Sequence, residues 1–165
     1  MMYDASVPIF VHFLTGLGSI LHKAEAYVQS KKIDPDALLK ARLFPDMYTF
    51  TRQVQLACDF GKGAGARLAG VPVPSFPDEE KTFEELHARI RKTTDFLKSL
   101  KKEQFADAAD RTVTLKVGGQ EMSFKGSDYL NTFVLPNFYF HLTTAYALLR
   151  HNGVELGKLD FMARR

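Results

Sequence analysis

Of the five histidines in the chain, one sits where an imidazole is costly unless it has a task or a partner. His141 shares a helical face with Val134, Thr144 and Leu148, which points its ring toward the interior. Asn137 projects from the same face one turn earlier. Two polar side chains stacked on an interior face need partners, because an unpaired buried polar group costs about 1–3 kcal/mol. Gln53 lies on an earlier helix, on the side of Phe50 and Ala57, and is expected to meet them; Thr49 is one turn behind it. One outcome is a core histidine satisfied by a single hydrogen bond, within a network that holds helices together. The other is a polar pocket inside a helical bundle, able to take a small-molecule ligand.

The other histidines read as surface or boundary residues. His12 and His22 lie off the main stripe of the first helix, His87 is on the charged side of the third, and His151 belongs to the last turn of the fourth. Cys58 has neither a CxxC partner nor an activating base nearby in sequence, and reads as a buried, inert thiol. The run Gly61-Lys62-Gly63-Ala64-Gly65 has the composition of a phosphate cradle. Such a cradle needs a preceding strand and a loop opening into a helix, whereas here a helical pattern runs straight through the glycines.

Long helices must position these residues. Val7, Phe10, Leu14, Leu17, Leu21, Ala24 and Val28 step by three and four, predicting a first helix capped by Ser6, with Pro8 in its first turn. Asp34-Pro35-Asp36 starts a short turn of helix that Pro45 interrupts. A second long helix follows from Met47 through Phe50, Val54, Ala57, Gly61 and Ala64 to Leu68, its glycines allowing a neighbour to approach closely. Pro72, Pro74 and Pro77 mark an extended connection. Thr82 and Glu85 have the spacing of a capping box for a third helix carrying Leu86, Ile90, Thr93, Leu97 and Leu100.

The period then changes from helical to alternating. Gly118-Gly119 predicts a hairpin pairing Val117 with Gln120, Leu115 with Met122 and Val113 with Phe124. The last helix is expected to start with Ser127 as its cap and to stop at Gly153, with Pro136 disturbing it near the carbonyl of Thr132. The expected fold is all-α: an up-and-down four-helix bundle with a small β-hairpin between helices three and four.

The 165 residues fit one domain spanning 1–165, and 45% hydrophobic with 25% charged residues is an ordinary globular mixture. Apolar runs are broken short of a bilayer span and the start lacks a secretory pattern, so neither a membrane segment nor a leader is expected. One cysteine leaves no internal disulfide, which makes the cytoplasm the default compartment. A formal charge of +3 gives no case for nucleic acid. Fourteen phenylalanines without a tryptophan are a large aromatic load for one bundle. Phe133, Phe138 and Phe140 cannot all face one core, and an exposed remainder would favour a homodimer.

The chain resembles the DinB/YfiT-like superfamily of helical bundles, and in particular a branch defined as a domain of unknown function. The likeness is carried by Ala41-Arg42-Leu43-Phe44-Pro45-Asp46-Met47 with Gln53 downstream, and by Pro136-Asn137-Phe138-Tyr139-Phe140-His141. Leu148-Leu149-Arg150-His151-Asn152-Gly153 and Gly157-Lys158-Leu159-Asp160 extend it over nearly the whole chain. Metal-binding members hold a divalent ion such as zinc or nickel with three histidines, one on the second helix and two at i and i+4 on the last. By that resemblance His141 is the second of the latter pair, Asn137 stands at the first, and Gln53 takes the helix-two position. One imidazole with two uncharged amides is a poor zinc or nickel site. The resemblance therefore implies a non-catalytic or ligand-binding protein with a remodelled metal position, and a homodimer. Its alternative is a metal-dependent hydrolase or thiol-cofactor transferase, in which Arg42, Tyr139 or Tyr146 would orient the substrate.

Overall fold

A computed structural model describes residues 1–164. The chain is mostly helical, with long helices α1 (Val7–Lys31), α3 (Phe50–Ala69), α4 (Phe83–Ser99) and α6 (Leu135–His151). Short helices α2 (Asp36–Leu39), α5 (Gly126–Asp128) and α7 (Lys158–Phe161) punctuate the connections, and a 3-10 turn covers Lys102–Phe105. Among the described residues the one sheet is the antiparallel hairpin β1 (Thr112–Val117) and β2 (Gln120–Lys125). Its register pairs Val117 with Gln120, Leu115 with Met122 and Val113 with Phe124. Gly118 and Gly119 both adopt positive φ, as the predicted two-residue turn requires.

Every residue of the predicted α1 stripe is buried. α3 is buried almost all round over its second half because it lies between α4 and α6. A bundle with each helix beside the next in sequence would have set α4 against α6 instead. The principal remaining contact is α1 against α4. Long connections permit this order, since the segments between α1 and α3 and between α4 and α6 can both cross an end of the bundle. The α3 glycines serve the close approach expected of them. A Cβ at Gly65 would lie 2.6 Å from Leu97 on α4, and one at Gly61 would touch Leu14 and Phe10 on α1 at 3.5 Å.

Several helix ends differ from expectation. Ser6 does not cap α1: its hydroxyl donates back to the Met2 carbonyl at 2.6 Å and is buried. Met47 precedes α3, which Thr49 caps by accepting the Arg52 amide at 3.3 Å. Ser127 does not cap the last helical segment, which begins at Gly126 after Lys125; the Ser127 amide instead donates to the Ala109 carbonyl. The Thr82–Glu85 capping box on α4 is present with both of its hydrogen bonds. The disturbance expected at Pro136 appears as a π turn over Tyr129–Val134, just upstream of the proline.

α1 also qualifies an earlier expectation. It is long and apolar enough, by length and composition, to cross a membrane, with an 18-residue stretch of mean hydropathy 1.2. Its apolar face, from Val7 to Val28, is the one buried against the other helices.

Candidate functional site

His141 enters the interior from the middle of α6, and Gln53 from the first turns of α3, the helix packed beside it. Their side chains meet: the imidazole Nδ1 donates to Gln53 Oε1 at 2.7 Å, which places the ring proton on Nδ1. Gln53 in turn donates to the Tyr48 carbonyl at 3.4 Å. Both residues are buried. The His141 ring stacks on Phe60 at 5.5 Å and stands edge-on to Phe140 at 5.3 Å. Burial, with the Arg52 charge as a lesser cause, lowers the His141 imidazole to about 4.

Asn137 does not join them. Its side-chain amide donates to the Phe133 carbonyl one turn back, at 2.7 Å, a local bond that competes with any cross-helix partner. Arg42 is exposed and donates to the Met47 carbonyl. Tyr146 packs half-buried against Phe161 near the carboxy terminus, and Tyr139 against Phe13 at 5.2 Å. Of the residues singled out in sequence, the structure brings together only His141 and Gln53, with Thr49 capping the helix that presents the glutamine.

These donors do not fit a metal ion. With Nδ1 bonded to a carboxamide, His141 offers only its Nε2, Gln53 is uncharged and Asn137 is turned to the backbone. Among the described residues no cluster of three metal-ligating side chains includes them. A neutral, hydrogen-bonded imidazole has a different consequence. Its folded-state pKa lies below the ordinary 6.5, so the unfolded chain takes up this proton first as the pH falls. The pair's full contribution is present above pH 6.5 and is lost as the pH approaches 4. The loss is expected to reach about 3 kcal/mol. Urea unfolding at pH 7.5 and 4.5 checks this, because His141→Gln should remove that part of the difference.

Beside the pair, a cavity of about 540 Å³ opens between α3, the hairpin and the π turn. Arg67 and Lys116 bring positive charge to it, while Arg52 is paired with Asp78 and Asp59 with Lys62 and Arg89. Phe60, shared with the His141 stack, and Phe133 give it an aromatic wall. A larger cleft of about 710 Å³ lies near Lys23, Tyr27, Gly153 and Glu155, away from this chemistry.

Two polar groups escaped the sequence reading. His87, read as a surface residue, is buried where α4 packs on α1. Its ring stacks on His22 at 3.9 Å, and its Nε2 lies 3.9 Å from the Glu25 carboxylate, with no hydrogen-bond partner. Among the described residues, His22, Glu25 and His87 are the group of three donors close enough to hold a metal ion. The spacing of His22 and Glu25 on one helix was visible; the third donor, across the bundle, was not. Burial foremost, and the neighbouring His22, lower the His87 imidazole.

The second is Arg89. Its side chain is 1% exposed and pairs with Asp59 and Asp78 at 2.9 Å and Glu80 at 3.0 Å, pinning the proline-rich connection to α3 and α4. Cys58 lies nearby, its thiol pushed up to about 12 by burial, which leaves it unreactive.

Residues 2–162 match a family model described as Domain of unknown function (DUF1993). A solved structure described as a DinB family member protein from Shewanella denitrificans is 41% identical, over 98% of this chain and 92% of that one. Its TM-score is 0.90. Among curated proteins, none matches.

Proposed function

This chain belongs to the DUF1993 family of DinB-like proteins, and from that premise we propose that it is a non-catalytic, small-ligand-binding helical bundle. Its four long helices make one bundle, and the metal position of its metal-binding relatives has become a hydrogen-bonded pair. The observation that carries the reading is the 2.7 Å bond between His141 and Gln53, which sets an uncharged carboxamide beside this imidazole in place of a second histidine.

The ligand belongs in the cavity that shares Phe60 with His141. Arg52 is already paired with Asp78, so Arg67 and Lys116 are the cations left to favour an anion, and the aromatic wall favours an apolar body. A small aromatic or aliphatic carboxylate or phosphate ester has both features. About 540 Å³ is within the range of small-molecule sites. Arg67 is the anchoring cation, held in place where its Nη1 donates to the Tyr129 hydroxyl at 3.2 Å.

Amide NMR spectra titrated with benzoate and with phenyl phosphate test this. Shifts are expected along α3 and β1, saturating with ligand, and Arg67→Gln should weaken binding at least about tenfold, the loss of one charge-assisted contact. Shifts that centre elsewhere, or affinity unchanged by the substitution, would refute the assignment.

A further inference from the structure

We propose that His22, Glu25 and His87 form a binding site for a zinc-like divalent transition metal that ties α1 to α4. The ligand atoms of the three residues all lie within 4.8 Å of one another. Donors to one tetrahedral ion stand about 3–4 Å apart, so only a small closure is needed. His22 and Glu25 are three residues apart on α1 and share a face. His87 reaches that face from α4.

The independent sign of a ligand is His87 itself. Its Nε2 is buried, has no hydrogen-bond partner and faces the Glu25 carboxylate at 3.9 Å, too far for a hydrogen bond. A coordinate bond would satisfy that nitrogen. The stacked ring of His22 is on the exposed side of the cluster, free to rotate its nitrogen into the same plane. Packing holds the buried donor, while the two α1 donors keep the freedom to close.

The donor set selects the ion. Two imidazoles and one carboxylate suit zinc, cobalt or nickel, whereas magnesium and calcium prefer all-oxygen shells. Three protein ligands leave a fourth position for water on the exposed side. This site lies on α1 and α4, apart from the His141–Gln53 pair on α6 and α3, so the two assignments stand or fall separately.

The test is titration of the chelator-treated full chain with Zn²⁺ against a chromophoric competitor, and with Co²⁺ followed by visible absorption. One equivalent is expected, with the Co²⁺ form showing the intense visible bands of four- or five-coordinate geometry. His22→Ala and Glu25→Gln should each weaken binding at least tenfold. Both residues lie at the open side of the cluster, and circular dichroism melting confirms that the variants fold. His12→Ala and His141→Gln should bind like the parent. A parent protein that takes up no metal, variants that bind as tightly as the parent, or loss of binding in His12→Ala or His141→Gln would each overturn the proposal.

Discussion

Replacing Arg89 with methionine is expected to lower the free energy of unfolding by about 4 kcal/mol, as breaking a buried ion pair from one side does. The guanidinium is 1% exposed and serves three carboxylates and the Pro77 carbonyl, at 2.9 to 3.0 Å. Methionine fills much of the volume but leaves Glu80, itself 13% exposed on its side chain, without its main countercharge. It also frees the segment from Gly70 to Lys81, which has no helix or strand of its own to hold it against α3 and α4. Asp78→Asn provides the contrast. That carboxylate is 41% exposed, also pairs with Arg52, and should cost no more than about 1 kcal/mol. Urea unfolding of both variants decides the matter; a loss under about 1 kcal/mol for Arg89→Met would show that the network is replaceable.

Gly126→Val should be comparably damaging, at about 4 kcal/mol, through excluded volume alone. A Cβ at Gly126 would lie 1.8 Å from the Ala108 carbonyl oxygen and 3.0 Å from its carbon. Both are backbone atoms, and neither can yield by a rotamer change. The approach is fixed from both sides, since Gly126 donates to the Arg111 carbonyl at 2.8 Å and Ser127 to that of Ala109 at 3.0 Å. The added side chain must therefore push the hairpin's exit away from the turn before its entry. Gly157→Ala is the control, because a Cβ there meets nothing within 4 Å. Thermal melts of the two variants give the comparison, and equal melting temperatures would contradict the geometry.

Much of the architecture was readable because it depends on local periodicity. The α1 stripe, the hairpin register and the Thr82–Glu85 cap follow from residues a few positions apart. The contact between Gln53 and His141 was readable from the faces they occupy. Arg89 and His87 were not, because the side of α4 that looks charged in sequence is covered from outside that helix. The proline-rich connection supplies carboxylates to Arg89, and α1 supplies a second wall to His87. Helical periodicity gives the direction of a side chain and says nothing of what stands in front of it. Asn137 shows the opposite error: it has an interior direction, but an acceptor on its own helix captured it first.

The wide turn at Tyr129–Val134 has an effect on counting. An α-helical amide reaches four residues back, and a π turn reaches five, so the turn accommodates one residue more than the helix period requires. Everything after it, His141 included, is rotated by about a quarter of a circle from where an unbroken helix beginning at Gly126 would carry it. Removing one residue between Tyr129 and Val134 would let the chain run as plain α-helix through that stretch. It would also turn the imidazole off Gln53 or drag the hairpin around the bundle. The phase of this helix is thus set by a single surplus residue, and pattern matching that spans it must carry a one-position slip.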